Sequence, residues 1–175
     1  MANETSPVVR LARETVERFV RDGVVVQPEP TVPELRERAG VFVSIHKNGE
    51  LRGCIGTFEP TRRNVAEEIV ANAISAATSD PRFPPVSSSE LGQLDYNVDI
   101  LTRPQPVDSV EALDPKKYGV IVECGARRGL LLPDLEGVES VDQQIEICRM
   151  KAGIGPTEPV RLYRFEVQRF SESGH

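Results

Sequence analysis

The dipeptide Asn48-Gly49 constrains the fold of this chain more than any other local feature. It separates two segments, VFVSIHK and ELRGCIGTF, that have the composition of β-strands. Asn-Gly best suits the two-residue turn of a β-hairpin, because both residues accept a positive φ angle. The sequence therefore predicts an antiparallel hairpin within residues 40–58, and its second strand carries closely spaced glycines and a cysteine.

Helical patterns lie on either side of this hairpin. Residues 7–22 repeat apolar side chains at helical spacing with charged side chains opposite them, which predicts an amphipathic first helix. Thr61 is a suitable cap for a second helix, which ends at Asp80. Ser140 opens a capping box for a third helix that stops at Gly153.

Strand-like segments alternate with these helices. Residues 96–101 predict a strand, residues 119–132 a second hairpin, and residues 160–167 a final strand. Because helices and hairpins are mixed, the fold class is α+β, with mixed or antiparallel sheet and flanking helices. The length of 175 residues suits a single domain over 1–175, with or without a smaller lobe, and no linker is long enough to separate two domains.

Charge and cysteine content exclude several classes of function. With 21 Lys and Arg against 27 Asp and Glu, the net charge of −6 gives no general attraction to nucleic acid. No apolar run reaches the length of a membrane span. The polar start of the chain lacks a secretion signal, which indicates the cytoplasm. Reduced thiols are expected there, and the odd number of cysteines, Cys54, Cys124 and Cys148, with no CxxC pair argues against both a disulfide framework and a structural zinc site.

The second strand of the hairpin carries the residues of greatest chemical interest. Counting outward from the turn pairs Ile45 with Arg52 and Val43 with Cys54, so Arg52 and Cys54 share one face. His46 then points to the opposite face, which argues against a Cys-His dyad. A nearby arginine favours the thiolate, so Cys54 is a candidate nucleophile or redox thiol. The alternative is that Cys54 is a small buried apolar residue and Arg52 a surface ion-pair partner.

Four further residues near this strand are candidates for ligand contact. Gly53 and Gly56 mark either a bulge or a close approach by another backbone or a ligand. Asp80 and Arg82 follow the second helix, where their side chains either face a pocket or pair with each other.

The third predicted helix has candidates of a more structural kind. Lys151 lies in its last turn, where the helix dipole favours a positive charge without any catalytic role. Cys148 lies on its apolar face, and Cys124 alternates within a strand, so both cysteines are assigned to packing.

Four segments together resemble the AMMECR-one domain family: LRGCIGTFEP at 51–60, Ala73 to Phe83, GLLLP at 129–133 and CRMKAG at 148–153. Their order and spacing extend the resemblance roughly from Leu11 to Phe170. The compact length resembles the prokaryotic branch called AmmeMemoRadiSam system protein A. The residues that match the family pattern are Leu51, Arg52, Gly53, Cys54, Ile55, Gly56, Thr57, Asp80, Arg82, Phe83, Lys151, Ala152 and Gly153. The chain departs from that pattern in having no tryptophan, including the one often found before the final helix.

The resemblance implies an α+β fold in which a larger and a smaller lobe flank a cleft near the motif strand. It implies no settled activity, and it identifies no particular cofactor. It associates the prokaryotic branch with a Memo-like protein and a radical SAM protein, which suggests a shared pathway.

Two hypotheses about function follow from these residues and this resemblance. In the first, a small cytosolic enzyme or enzyme component binds a small anionic molecule, with Cys54 as the reactive thiol and Arg52 lowering its pKa. Arg82 and Lys151 would hold the anion, while Asp80 would orient Arg82 or exchange a proton. Further contacts would come from Gly53, Gly56 and Thr57. In the second, a non-catalytic partner docks onto the Memo-like or radical SAM protein, and the motif residues are structural or interfacial.

Overall fold

The computed structural model describes residues 5–172 and shows helices and strands mixed along the chain. In order they are α1 (Pro7–Asp22), α2 (Pro33–Arg36), β1 (Val41–Lys47), β2 (Glu50–Thr57), α3 (Val65–Thr78), β3 (Leu94–Leu101), β4 (Gln105–Val107), β5 (Gly119–Cys124), β6 (Arg127–Leu131), α4 (Val141–Ala152), β7 (Arg161–Phe165) and β8 (Val167–Ser171). Two short 3₁₀ helices span Ser88–Gln93 and Val110–Ala112. The predicted α+β class is confirmed.

Contacts divide the chain into two compact units. The first contains the described residues up to Leu101 and from Gln168 onward, and the second is Thr102–Val167. Each unit has a four-stranded sheet, in the order β2-β1-β3-β8 in the first and β4-β7-β5-β6 in the second. The implied arrangement of lobes around a cleft stays a prediction, as does the extent of the single domain.

In the first unit, helices α1 and α3 pack against each other and against the sheet. The side chains of Val41, Val43 and Ile45 on β1 are fully buried in this core. The intervening residues Phe42 and Ser44 are only half-buried, as expected when alternate side chains of a strand point to opposite faces. The sheet thus has an apolar face under the helices and a second, more polar face.

Local capping explains where the two long helices of the first unit begin. Ser6 accepts a hydrogen bond from the Val8 N–H at 3.2 Å, and α1 then runs over the predicted residues 7–22. Helix α3 is capped by Asn64, whose side chain accepts from the Glu67 N–H at 2.9 Å. The predicted cap at Thr61 is therefore wrong by three positions, because the chain bends at residues 62–64 before the helix starts.

The predicted hairpin is confirmed, with its turn at the expected residues. Asn48 has a φ of 52° and Gly49 a φ of 83°, so both adopt the left-handed conformation that this turn requires. Strands β1 and β2 pair antiparallel on either side of the turn.

The predicted register of the hairpin is wrong beyond Leu51. A bulge leaves Arg52 without a partner on β1, so Ile45 pairs with Gly53 and Ser44 pairs with Cys54. Regular counting from the turn cannot foresee an extra residue in one strand. Paired residues share a face, so Cys54 lies on the polar face with Ser44. His46, two residues along β1 from Ser44, lies on that face too, and the prediction that it points away from Cys54 is also wrong.

In the second unit, α4 packs on strands β5 and β6. Its core includes Val120, Val122 and Cys148, all fully buried. The predicted hairpin within 119–132 is confirmed by the antiparallel pairing of β5 and β6. Helix α4 has the predicted capping box at its N-terminal end and is followed by Gly153 as C-cap. Among the described residues, no helix has the length and apolar character needed to cross a membrane.

Candidate functional site

Four residues of the first unit form a hydrogen-bonded group that we call the Cys54 cluster: Ser44, Cys54, Asp80 and Arg82. Ser44 and Cys54 come from the hairpin, and their Oγ and Sγ atoms lie 3.3 Å apart. Asp80 and Arg82 come from the loop that follows α3. The structure thus brings together three residues that the sequence proposed as candidates, and it adds Ser44, which the sequence analysis missed.

Asp80 is the centre of the cluster, with a side chain only 2% exposed. Its Oδ2 accepts from the Cys54 N–H at 3.0 Å and from Arg82 Nη2 at 2.8 Å. Its Oδ1 accepts from the Arg82 N–H at 3.0 Å and from Arg82 Nε at 3.1 Å. A single carboxylate therefore fixes both the β2 backbone at Cys54 and the guanidinium of Arg82.

These bonds determine the charge of Asp80. The Arg82 guanidinium, aided by the two backbone N–H groups, holds the pKa of the Asp80 carboxyl well below its usual range, although burial opposes this. A carboxylate with so low a pKa does not exchange protons near neutral pH. Of the two roles predicted for Asp80, these contacts fit that of orienting Arg82 and not that of exchanging a proton.

The pKa of the Cys54 thiol is shifted in the opposite direction to that of Asp80. Burial raises its pKa above the ordinary value, and the carboxylates of Asp99 and Asp80 add to this effect. The Ser44 hydroxyl and the Arg82 guanidinium oppose it without reversing it. Cys54 is therefore protonated at neutral pH, and the prediction that Arg52 lowers its pKa is wrong.

Arg52 is engaged elsewhere because the bulge directs its side chain to the loop after α3. Its Nε and Nη2 donate to the two carboxylate oxygens of Glu90 at 2.9 and 3.1 Å. Its Nη1 and Nη2 also donate to the carbonyls of Pro84 and Pro85 at 2.8 and 3.3 Å. These contacts hold the pKa of Glu90 well below its usual range, chiefly through Arg52. We call this arrangement the Arg52-Glu90 clamp; it fastens the loop that carries Asp80 to strand β2.

The glycines of the motif serve close packing within the first unit. A Cβ atom on Gly53 would overlap the carbonyl oxygen of Ala76 in α3. A Cβ atom on Gly56 would overlap the aromatic ring of Phe42 on β1. The space beside each glycine is already filled, which matches the predicted close approach of another group but leaves no room there for a ligand.

Thr57, a further predicted ligand contact, belongs to a buried polar network. It donates to Glu68 Oε2 at 2.9 Å and accepts from Asn72 Nδ2 at 3.3 Å. Glu68 is fully buried and also accepts from the backbone N–H groups of Thr61 and Arg62. The sequence analysis missed Glu68. The available signal was its position three residues after Val65, which places an acidic side chain on the apolar face of α3.

The remaining candidates lie in the second unit. Lys151 Nζ donates to the Leu130 carbonyl at 2.8 Å, so it has a partner within its own unit. Cys148 is fully buried, and burial raises its pKa to about 12, which confirms its assignment to packing. Cys124 packs against the same core and accepts a hydrogen bond from Arg127 Nη2 at 3.4 Å.

The fold and the site define an α+β protein of two units in which a buried aspartate joins a cysteine-bearing hairpin to an exposed arginine. The AMMECR1 family model matches residues 9–170, and the chain belongs to this family. The resemblance to the AMMECR-one domain family is thereby confirmed.

Relatives of known sequence or structure agree with this membership. A protein of Thermotoga maritima is 54% identical over 94% of this chain and 97% of its own length. A protein of Clostridium acetobutylicum is 47% identical over 97% of this chain, which spans only 37% of that longer relative. The crystal structure of an uncharacterised protein from Pyrococcus horikoshii has a TM-score of 0.88 and 33% identity, covering 95% of this chain and 90% of that one.

Proposed function

We propose that this chain binds a small anionic molecule at the exposed side of Arg82, with the protonated thiol of Cys54 beside the bound group. The observation that carries this proposal is the division of the Arg82 guanidinium into two parts. Nε and Nη2 are held by Asp80, whereas Nη1 has no hydrogen-bond partner among residues 5–172, and the side chain is 56% exposed. Nη1 is therefore a positioned donor that is still available.

Burial of Asp80 makes this arginine a better ligand contact than a mobile surface arginine. The ring of Phe83 lies 5.4 Å from the guanidinium carbon of Arg82 and restrains it further. Because the guanidinium is oriented before a ligand arrives, binding costs less side-chain entropy. Asp80 also offsets most of the positive charge, so we expect a weak site, with a Kd on the order of 1 mM.

The protonated state of Cys54 fits this role. An anion held by Arg82 would further disfavour the thiolate, so the thiol would act as a weak hydrogen-bond donor and not as a resting nucleophile. The name of the prokaryotic branch, a cytoplasmic location and the partnership with a Memo-like and a radical SAM protein rest on the resemblance and stay predictions.

The experiment that tests the proposal measures the alkylation rate of Cys54 by mass spectrometry, with and without inorganic phosphate or pyruvate. Ionic strength is matched with KCl so that general screening does not contribute. We expect one of the anions to slow alkylation of Cys54 in a saturable manner and to leave Cys124 unchanged. The variant Arg82→Gln should abolish the effect.

The matched control is Arg62→Gln, which removes an exposed guanidinium just before the other end of α3. Helix α3 has 14 residues and is therefore about 21 Å long, too far for one small ligand to reach both arginines. We expect the anion to slow the alkylation of Cys54 in Arg62→Gln as much as in the original chain. If neither anion changes the Cys54 rate, or if Arg82→Gln responds like Arg62→Gln, anion binding is rejected and the docking hypothesis takes the lead.

A further inference from the structure

The second unit contains a cavity of about 190 Å³ whose lining is rich in side chains that bind anions. Arg164 on β7 and Gln105 on β4 are a cross-strand pair and both line it. The lining also includes two further charged residues and an aromatic one: Arg103, Glu166 and Tyr118. None of these residues belongs to the Cys54 cluster or to its unit.

Arg164 has no acidic partner although it is half-buried. Its Nη1 donates to the Ala112 carbonyl at 2.8 Å, and its guanidinium carbon lies 4.4 Å from the ring centroid of Tyr118. Its Nε is buried and has no hydrogen-bond partner. Within the described part of the chain, no carboxylate forms an ion pair with it. Removing a guanidinium from water without a counter-charge is unfavourable, so the cavity wall carries an uncompensated positive charge.

Arg103 adds a second guanidinium to the same cavity. It is exposed, and in residues 5–172 it has neither a hydrogen-bond nor an ion-pair partner. Glu166 supplies the only carboxylate among the described lining residues, and it is not within ion-pair distance of either arginine. The balance of formal charge at the cavity is therefore positive in a chain whose net charge is −6.

We propose that this cavity binds a small oxyanion, a carboxylate or a phosphate group, between Arg164 and Arg103. A guanidinium presents paired N–H donors that match either group, and the amide of Gln105 offers two more donors beside it. Sites for larger ligands usually have volumes of about 300–1,000 Å³, so a cavity of about 190 Å³ suits a single small anion and excludes a nucleotide. The inference uses residues of the second unit only and does not depend on anion binding at Arg82.

The test is a titration of the full chain followed by NMR of the arginine Nε–H and glutamine side-chain amide signals. Sodium phosphate and sodium succinate are added in separate series, each compared with KCl at equal ionic strength. We expect saturable shifts of the Arg164 and Gln105 signals. Affinity should fall about tenfold in Arg103→Gln, the loss expected when one charged hydrogen-bond donor is removed.

The matched control is Arg161→Gln, which removes an exposed arginine from the same strand outside the cavity lining. Its affinity should stay within about twofold of the original chain, and so should that of Arg82→Gln. Saturation by succinate alone identifies a carboxylate ligand, and saturation by phosphate alone identifies a phosphate ligand. Shifts that grow linearly and equally in Arg103→Gln and Arg161→Gln, or shifts no larger than those with KCl, overturn the proposal.

A second variant is needed because Arg103→Gln could lose anion binding merely by failing to fold. In Gln105→Glu, a carboxylate faces Arg164 across the strand pair and supplies the missing counter-charge. The proposal predicts a folded protein in which the anion-dependent shifts are lost. Unchanged anion binding by Gln105→Glu would contradict it.

Discussion

The arginines of the motif region and those of the second-unit cavity have opposite environments. Arg52 and Arg82 each meet a largely buried carboxylate, Glu90 and Asp80 respectively. Arg103 and Arg164 meet none among residues 5–172. Most guanidinium donors of Arg52 and Arg82 are therefore already used to hold the hairpin and the following loop together. Motif residues can thus be largely architectural: pairing with Asp80 leaves only Nη1 of Arg82 available for a ligand, whereas Arg103 and Arg164 keep their full positive charge within the described residues.

The largest expected effect comes from breaking the centre of the Cys54 cluster. Asp80→Asn removes the carboxylate charge and replaces one of the two acceptor oxygens by an NH2 group, so that either the Cys54 N–H or the Arg82 N–H loses its partner. We expect a loss of about 3 kcal/mol in the free energy of unfolding, measured with urea. Asp95→Asn, at an exposed position on β3, is the control and should change stability by less than about 0.5 kcal/mol. Equal effects of the two variants would show that Asp80 has no central role.

The next effect in size tests the Arg52-Glu90 clamp. Arg52→Lys keeps the charge but loses the two parallel bonds to Glu90 and the bonds to the proline carbonyls, so we expect a loss of about 2 kcal/mol. Lys47 makes a single contact with the same carboxylate at 3.1 Å and is more exposed than Arg52. Lys47→Ala should cost less than about 1 kcal/mol by the same urea measurement. The clamp is disproved if the lysine substitution at position 52 is the milder of the two.

In the second unit we expect a substitution that stabilises the folded chain, in contrast to the destabilising substitutions in the first unit. Gln105→Glu supplies an acidic partner for Arg164, so we expect a gain of about 1 kcal/mol, seen as a higher Tm at neutral pH. High salt should reduce this gain. A lower Tm would mean that Arg164 is adequately solvated. It would contradict the statement that Arg164, unlike Arg52 and Arg82, carries an uncompensated charge.

Acid should lower the free energy of unfolding of the first unit through protonation of Asp80 and Glu90. Their pKa values fall on folding from ordinary values of 3.8 and 4.5, so the unfolded chain binds more protons than the folded one as the pH decreases. The stabilisation is complete above these ordinary values and is lost progressively as the pH falls below about 5. Urea unfolding at several pH values should show this slope, and Asp80→Asn should flatten it. An identical slope in the variant would contradict the assignment to Asp80.

Much of the fold was predictable because its signals are local. The turn at Asn48-Gly49, the boundaries of α1 and the capping box at Ser140 each depend on a few neighbouring residues. The bulge at Arg52 was not, because the contacts that accompany it join Arg52 to Glu90 and to a proline carbonyl more than thirty positions along the chain. Strands β4 and β8, which are short, also lack a clear pattern in the sequence.

The candidate site shows the same limit. Cys54, Asp80 and Arg82 were recognised as candidates, but the partner of each was not, since Asp80 reaches the Cys54 N–H only after α3 has packed on the sheet. Burial also decided the direction of the Cys54 pKa, and burial at a half-polar strand face cannot be read from spacing alone.

The most direct test of the account is site-resolved alkylation of Cys54 by iodoacetamide across pH in the folded protein. Cys148, which is fully buried, marks the slow limit, and half-buried Cys124 serves as a second internal reference. We predict that Cys54 reacts slowly at neutral pH and gains reactivity only above the ordinary thiol pKa of 9.0. Rapid alkylation of Cys54 well below that pH would show a resting thiolate and contradict the central claim that the thiol is held protonated beside Arg82.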